Sequence, residues 1–190
     1  MTTIFLAVTG TQGAGKSVFT EIAKEKYKIP TFRLGDIIIE ECQKRGIEVN
    51  GRNMAKMASV LRYEGGDQAI AREALPKIKK LASTKPKLLL IDGVRSYTEL
   101  ALLKAELGEV ILVAIISSLK TRKDRVEKRK RIDNETVGDF EEREQRELGF
   151  GLGDVITKAD FFILNEELSL EEFSSQIEQL LERILKESKT

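Results

Sequence analysis

Eight consecutive residues near the start of the chain, Gly10-Thr11-Gln12-Gly13-Ala14-Gly15-Lys16-Ser17, have the types and order needed to grip a polyphosphate. They fit G-x4-G-K-[ST], the P-loop or Walker A pattern. Glycines let the main chain curl until successive N–H groups point inward as an anion nest. A helix starting at the same place adds the positive end of its dipole. The Lys16 ammonium would then reach the β- and γ-phosphates, and the Ser17 hydroxyl would ligate Mg2+. At ordinary residue frequencies the four fixed positions recur by chance in fewer than about 1% of chains this long. The expectation is a nucleotide site over Gly10–Ser17 with ATP and Mg2+ as its cofactors.

What else could do chemistry is limited by what is missing. The chain has no histidine, hence neither the usual general base nor the commonest zinc ligand. Its one cysteine, Cys42, falls in a helical pattern and has no histidine to activate it. Lysine, arginine, carboxylates, hydroxyls and main chain remain, and phosphoryl transfer is the large reaction class that works with those groups. Asp92 closes the apolar run Leu88–Ile91. A carboxylate at the carboxyl end of a buried strand stands at the ligand edge of an α/β sheet, where it either holds the Mg2+ shell or orients an acceptor hydroxyl.

Arginines supply the charge. Arg122, Arg125, Arg129 and Arg131 stand in the basic segment Lys120–Arg131, and Arg143 and Arg146 follow. Arg125 and Arg129, four apart, share a helical face. A basic lid that closes over the transferring group neutralises it and excludes water. Arg125, Arg129 and Arg143 are therefore expected to act with Lys16 and Asp92 in catalysis. Thr157-Lys158-Ala159-Asp160 has the form of a guanine-reading [NT]-K-x-D tetrapeptide, but it precedes a strand instead of following one and is set aside.

The elements that must position these residues alternate short apolar runs with longer amphipathic stretches, the pattern of βαβ units and a parallel sheet. Strands are predicted over Ile4–Val8, Thr31–Leu34, Leu88–Ile91, Val110–Ile116 and Phe161–Leu164. Helices are predicted over Lys16–Tyr27, Asp36–Lys44, Asn53–Tyr63, Asp67–Leu81, Tyr97–Glu106, Lys120–Arg131, Phe140–Leu148 and Leu170–Lys186. The last opens on a capping box, Ser169 with Glu172. The fold class is α/β, a three-layer αβα sandwich on a five-stranded parallel sheet. Gly46–Leu81 and Leu119–Asp154 exceed the minimal sandwich and read as insertions at its ligand end, within one domain spanning residues 1–190.

Apolar residues make up 41% of the 190, enough to bury a core, and 33% are charged. The charges nearly cancel, 32 basic against 31 acidic, so a general attraction to nucleic acid or anionic membrane is not indicated. A lone cysteine fits a reducing, cytoplasmic setting, and no run is long enough to span a membrane.

These residues resemble the nucleoside-monophosphate kinase group of P-loop kinases, which includes adenylate kinase, and dephospho-coenzyme A kinase. More narrowly the chain resembles an archaeal family of adenylate-kinase-related proteins, over nearly its whole length. The narrow match rests on Gly10–Ser17, Leu34-Gly35-Asp36, Ile91-Asp92-Gly93-Val94-Arg95-Ser96, Phe140–Gly153 and Ala159-Asp160 with Asn165. It implies an acceptor-binding insertion at about 46–81 and a lid at about 119–154. Adenylate kinases carry D-G-F-P-R after the third strand, and its arginine binds the acceptor phosphate; Asp92-Gly93-Val94-Arg95 is the matching piece, which makes Arg95 the candidate here. The family's T-G-D-x-x-R becomes Leu34-Gly35-Asp36-Ile37-Ile38-Ile39, so Asp36 is carried over while Ile39 stands where the family has its arginine. Arg33, Arg62 or Arg72 is left to take that place, and Arg62 joins Asp36 and Arg95 as the acceptor-binding set. The lid pattern R-x-x-x-R falls on Arg125 and Arg129, one near adenine and one on phosphate, and Asn165 and Glu166 fall in the loop that touches adenine.

The implied activity is transfer of the γ-phosphoryl of ATP to a small acceptor, a nucleoside monophosphate or dephospho-coenzyme A. The alternative is a nucleotide-binding switch or regulatory NTPase without an acceptor. No dedicated hydrolytic Gln or Glu is evident for it, and the lid arginines would go unexplained.

Overall fold

The apolar runs become five strands, and their unbroken hydrophobicity follows from burial on both faces. The computed structural model describes residues 3–128 and 137–187. Strands β1 (Ile4–Thr9), β2 (Thr31–Arg33), β3 (Leu88–Asp92), β4 (Val110–Ile116) and β5 (Phe161–Leu164) form one sheet in the order β2-β3-β1-β4-β5. Every neighbouring pair is parallel. Alternate residues along each strand feed two cores. Leu6, Val8, Leu90, Val113 and Ile115 pack with Phe19 and Ala23 of α1 (Lys16–Glu25) and with Phe173, Ile177 and Leu181 of α9 (Leu170–Glu187). Phe5, Ala7, Leu89, Ile91 and Leu112 face the opposite layer, built by α2 (Leu34–Lys44), α3 (Gly51–Gly65), α4 (Ala69–Ala82), α5 (Tyr97–Leu107) and α8 (Leu152–Ile156). The expected three-layer sandwich is therefore the fold.

Local sequence sets the helix starts. Asn50 caps α3 by accepting from the Asn53 N–H at 2.9 Å. Ser96 and Glu99 form a reciprocal capping box at α5. The box predicted at Ser169 and Glu172 forms at α9, with Glu172 N–H donating to Ser169 Oγ at 3.2 Å and Ser169 N–H to Glu172 Oε2 at 2.8 Å. Leu34, predicted as the end of a strand, is instead the first residue of α2: it joins Ile37, Ile38 and Cys42 on one buried helical face.

The two longer segments contribute to the core as well as to the ligand edge. In 46–81, α4 buries Ile70, Ala71, Ala74, Leu75 and Ile78 against the sheet layer. In 119–154, α6 (Leu119–Lys128) and α7 (Val137–Gly149) are followed by the short helix α8, whose Leu152 and Val155 are fully buried. That helix was not predicted, because Leu148–Gly153 is too rich in glycine to show a helical period. Arg129 and Arg131 lie outside the described residues. Among the described residues no helix is long and apolar enough to cross a membrane.

One ion pair fastens α6 and α7 to the phosphate loop. Arg122, only 5% exposed, donates Nη1 and Nη2 to the Glu144 carboxylate at 2.7 and 2.6 Å. It also donates Nε to Ser117 O at 3.2 Å and Nη1 to Gln12 O at 3.3 Å. Gln12 Nε2 in turn donates to Phe140 O at 2.7 Å. Removing one member of such a buried pair strands the other charge, which costs about 3–5 kcal/mol, whereas a hydrophobic pair of similar volume can be neutral. Glu144→Gln should therefore lower unfolding free energy by a few kcal/mol in urea titrations, and Arg122→Met with Glu144→Leu should recover most of it. Equal stability of Glu144→Gln and the parent chain would contradict this account.

Candidate functional site

The carboxyl ends of β1 and β3, side by side in register from Ile4↔Leu88 to Val8↔Asp92, bring the P-loop and Asp92 to the same edge. Two glycines make the loop's shape possible. Gly15 has φ +118°, and a Cβ there would lie 2.7 Å from both Asn165 Nδ2 and Phe173 Cε1. Gly13 has φ +78°, and its Cβ would lie 2.8 Å from the Arg122 carbonyl oxygen. Both positions demand glycine on backbone and steric grounds together. Among the described residues no backbone carbonyl accepts from the amides of Gly13, Gly15 or Lys16. These are the donors that an anion nest needs at the start of α1.

Lys16, at the first position of α1, folds over the loop and donates Nζ to the carbonyls of Gly10 and Thr11, the latter at 3.0 Å. Burial of the ammonium lowers its pKa to about 8. Glu147 and Asp92 oppose that shift, while Arg95 and Arg143 add to it. Asp92 moves the other way: burial raises its pKa, and Lys16, Arg33 and Arg95 only partly offset this. Its Oδ2 lies 3.9 Å from Arg33 Nε, and its buried Oδ1 has no hydrogen-bond partner among the described residues.

Two clefts open beside this edge. The larger, about 570 Å³, is lined by Gly13, Gly15, Lys16, Ser17, Thr20 and Asp92, and by Arg33, Gly35, Arg95 and Arg143. The smaller, about 280 Å³, is lined by those same last four residues and by Ile38, Ile39, Met54, Ala58, Arg62, Arg146, Glu147 and Phe150. The shared residues make the two clefts neighbours. The first is walled by phosphate-loop and polar groups; the second has an apolar wall from α2 and α3 facing arginines.

A buried carboxylate of the smaller cleft holds two of the shared arginines. Glu147 Oε1 accepts from Arg95 Nε at 3.2 Å and from Arg143 Nε at 3.0 Å. Burial would raise its pKa, but Arg95, Arg143 and Lys16 outweigh that and hold it down at about 2. Nearby, Arg62 donates Nη2 to Glu99 Oε1 at 2.7 Å and stacks 4.1 Å from the Phe150 ring centroid. Glu99 Oε2 accepts from the Arg95 N–H at 2.8 Å. Arg62 Nε is buried without a partner among the described residues.

Of the residues expected to catalyse, the fold brings Lys16, Asp92 and Arg143 to the larger cleft. Arg125 is placed elsewhere: it donates to Ser117 Oγ and Asn165 Oδ1, each at 3.1 Å. Asn165 Nδ2 donates to Ala14 O at 2.8 Å, so Arg125 and Asn165 brace the back of the loop. Of the P-loop, Gln12, Gly13, Gly15, Lys16 and Ser17 line the cleft, while Gly10, Thr11 and Ala14 shape it from behind. Arg95 and Arg62 line the smaller cleft, whereas Gly35 lines it in place of Asp36. Among the three arginines considered for the missing one, Arg33 lines both clefts, and Arg72 is exposed, donating to Gly65 O at 3.1 Å. Sequence reasoning missed Glu147 and Phe150. The i,i+4 spacing of Arg143 and Glu147 was the available signal for the first.

Mg2+ can be tested against this geometry. No group of three or more His, Cys, Asp or Glu side chains that could hold a metal occurs among the described residues. A metal would have to share its coordination with phosphate oxygens, which is the habit of Mg2+. Ser17 and Asp92, with its unpartnered buried oxygen, fit that role.

Comparison with known proteins agrees with this picture. Residues 9–147 match the family described as AAA domain. A UPF0200 protein of Hyperthermus butylicus is 41% identical over 182 residues, covering 95% of each chain. Another from Thermococcus onnurineus is 39% identical over 189 residues, covering 97% of this chain and all of its own. Dephospho-CoA kinase from Campylobacter jejuni superposes with a TM-score of 0.61 at 15% identity, covering 97% and 98% of the two chains. Shikimate kinase from Bacteroides thetaiotaomicron gives 0.57 at 15% identity, covering 95% and 98%. Fold and sequence lead to the same place: the chain belongs to the UPF0200 protein family, built on the P-loop kinase fold.

Proposed function

We propose that the protein is a small-molecule kinase that moves the γ-phosphoryl group of ATP to a phosphate-bearing acceptor, a nucleoside monophosphate or a molecule like dephospho-coenzyme A. The observation that carries this reading is the second cleft. A switch or a simple NTPase needs only the phosphate loop, whereas here the loop's cleft adjoins a pocket with apolar walls and five arginines, Arg33, Arg62, Arg95, Arg143 and Arg146. An apolar face suits a planar base, and arginines suit a phosphate. The fold neighbours named dephospho-CoA kinase and shikimate kinase act on small acceptors, which supports the class without naming the substrate.

ATP enters with its phosphates on the amides of Gly13–Ser17 and the dipole of α1. The acceptor oxygen, an ionised phosphate oxygen or a hydroxyl that gives its proton to Asp92, attacks the γ-phosphorus in line; the new P–O bond forms as the bond to the β,γ-bridging oxygen breaks, and ADP leaves with that electron pair. Lys16, Arg95 and Arg143 neutralise charge on the group in passage, which is most of what such a site is asked to do. Ser17 and Asp92 would hold Mg2+, which when bound would supply further neutralisation of the phosphate oxygens. Arg125 acts behind the loop, by holding Asn165 against Ala14.

The discriminating assay incubates the protein with ATP, Mg2+ and a panel of nucleoside monophosphates, nucleosides and dephospho-coenzyme A, and measures ADP and inorganic phosphate separately. ADP formed only with an acceptor, and without free phosphate, is the expected result. ADP and phosphate rising together whatever is added would establish the acceptor-free NTPase instead. Lys16→Ala should lower turnover about 100-fold or more, the scale for losing a charge-stabilising donor. Arg95→Ala should lower kcat/KM for the acceptor about tenfold or more, the scale of a lost charged hydrogen bond.

Lys16 also makes ATP binding pH-dependent. With its pKa lowered to about 8, the side chain is largely neutral at about pH 9, and incoming phosphates favour its charged form. Binding then takes up a proton, and ATP affinity falls as pH rises through that value. Calorimetry at pH 9 in buffers of different ionisation enthalpy should show the uptake in the parent chain and lose it in Lys16→Met. Identical apparent enthalpies across buffers for the parent chain would refute it.

A further inference from the structure

Arg95 and Arg143 line both clefts, so a phosphoryl group passing from donor to acceptor must pass beside them. An anion already stands there. Glu147 is 5% exposed, and its Oε1 takes one N–H from Arg95 at 3.2 Å and one from Arg143 at 3.0 Å. Its charge also reaches Lys16 at the start of α1, where it is the largest influence favouring the ammonium. Cations from the phosphate loop, the β3–α5 turn and α7 thus converge on one carboxylate.

A buried carboxylate that only joined helices could be placed anywhere along α7. This one lines the smaller cleft and holds two arginines that line both. Carboxylate and phosphate compete for the same guanidinium N–H groups. A phosphate dianion within a few ångströms of an ionised carboxylate is also strongly disfavoured in a site of low dielectric. Glu147 takes only the Nε–H of each arginine, so what sets the two anions against each other is chiefly their repulsion at close range.

We propose that Glu147 is an internal stand-in for the transferring phosphoryl group, holding Arg95 and Arg143 together until a bound phosphate takes its place. The identity of the incoming group rests on the kinase reading above, whereas the competition itself does not. The γ-phosphoryl of ATP brings the anion that releases the two arginines, so their rearrangement is tied to binding of the donor.

The test uses inorganic phosphate and needs no turnover, so it can fail while the kinase assay succeeds, and the reverse. Glu147→Gln keeps the side chain's shape and removes the carboxylate charge that faces both arginines. Its melting temperature should drop, and phosphate added at constant ionic strength should restore it. Its apparent Kd for phosphate should be tighter than the parent's by about tenfold, the ratio for removing roughly 1.4 kcal/mol of repulsion. Glu147→Asp, charged but shorter, should fall between. Phosphate binding by Glu147→Gln that equals or is weaker than the parent's would show a carboxylate that merely aligns its arginines. Should the Gln variant not fold, the same comparison is read from Glu147→Asp. In crystals of the parent chain soaked in phosphate, both arginine contacts to Glu147 should be broken; an anion bound with both contacts kept overturns the proposal.

Discussion

Cations crowd one edge of the sheet, and the rest of the site is built to keep them there. Lys16, Arg33, Arg95 and Arg143 line one cleft, and like charges packed that closely repel. Three carboxylates offset them from within the fold: Asp92 near Arg33, Glu147 between Arg95 and Arg143, and Glu99 on Arg62 and on the Arg95 main chain. The balance leaves a positive site in which most buried charge is paired, with Lys16 and Asp92 compensated only in part. That is the condition for holding a polyphosphate and still folding in its absence.

The secondary structure follows from this arrangement as much as it causes it. Parallel strands put all their carboxyl ends on one side, so β1, β2 and β3 deliver the loop, Arg33 and Asp92 to a common edge. Helices then carry charge in from the flanks. α3 brings Arg62, α5 brings Glu99, and α7 brings Arg143 and Glu147. The Arg122–Glu144 pair locks α6 and α7 against the loop backbone, so the geometry of the loop and of α7 is one problem and not two.

Much of this was legible in the residues. The P-loop, the strand that ends on Asp92 and the sheet of five strands were readable because each depends on local pattern: glycine positions, apolar runs and helical periods. Arg95 and Arg143 were readable as candidates because their neighbours in sequence resemble a known family. In this structure Arg125 rests on Ser117 and Asn165; its spacing from Arg129 says that they share a helical face, but not which way that face turns. The short helix α8 was hidden among glycines, since only burial of Leu152 and Val155 stabilises it.

By itself the sequence determined the chemistry on offer: a glycine-rich loop of the P-loop pattern, the lysine that ends it, a carboxylate and many arginines, with no histidine in the chain. These are properties of residue type and of neighbours a few positions apart, and no fold is needed to read them. Tertiary structure alone decided which charges meet. Arg95 and Glu147 are 52 positions apart, and Arg62 and Glu99 are 37 apart, yet each pair is in contact. Partners at that distance are chosen by how helices pack on the sheet, because burial makes a charge seek compensation wherever the fold can provide it.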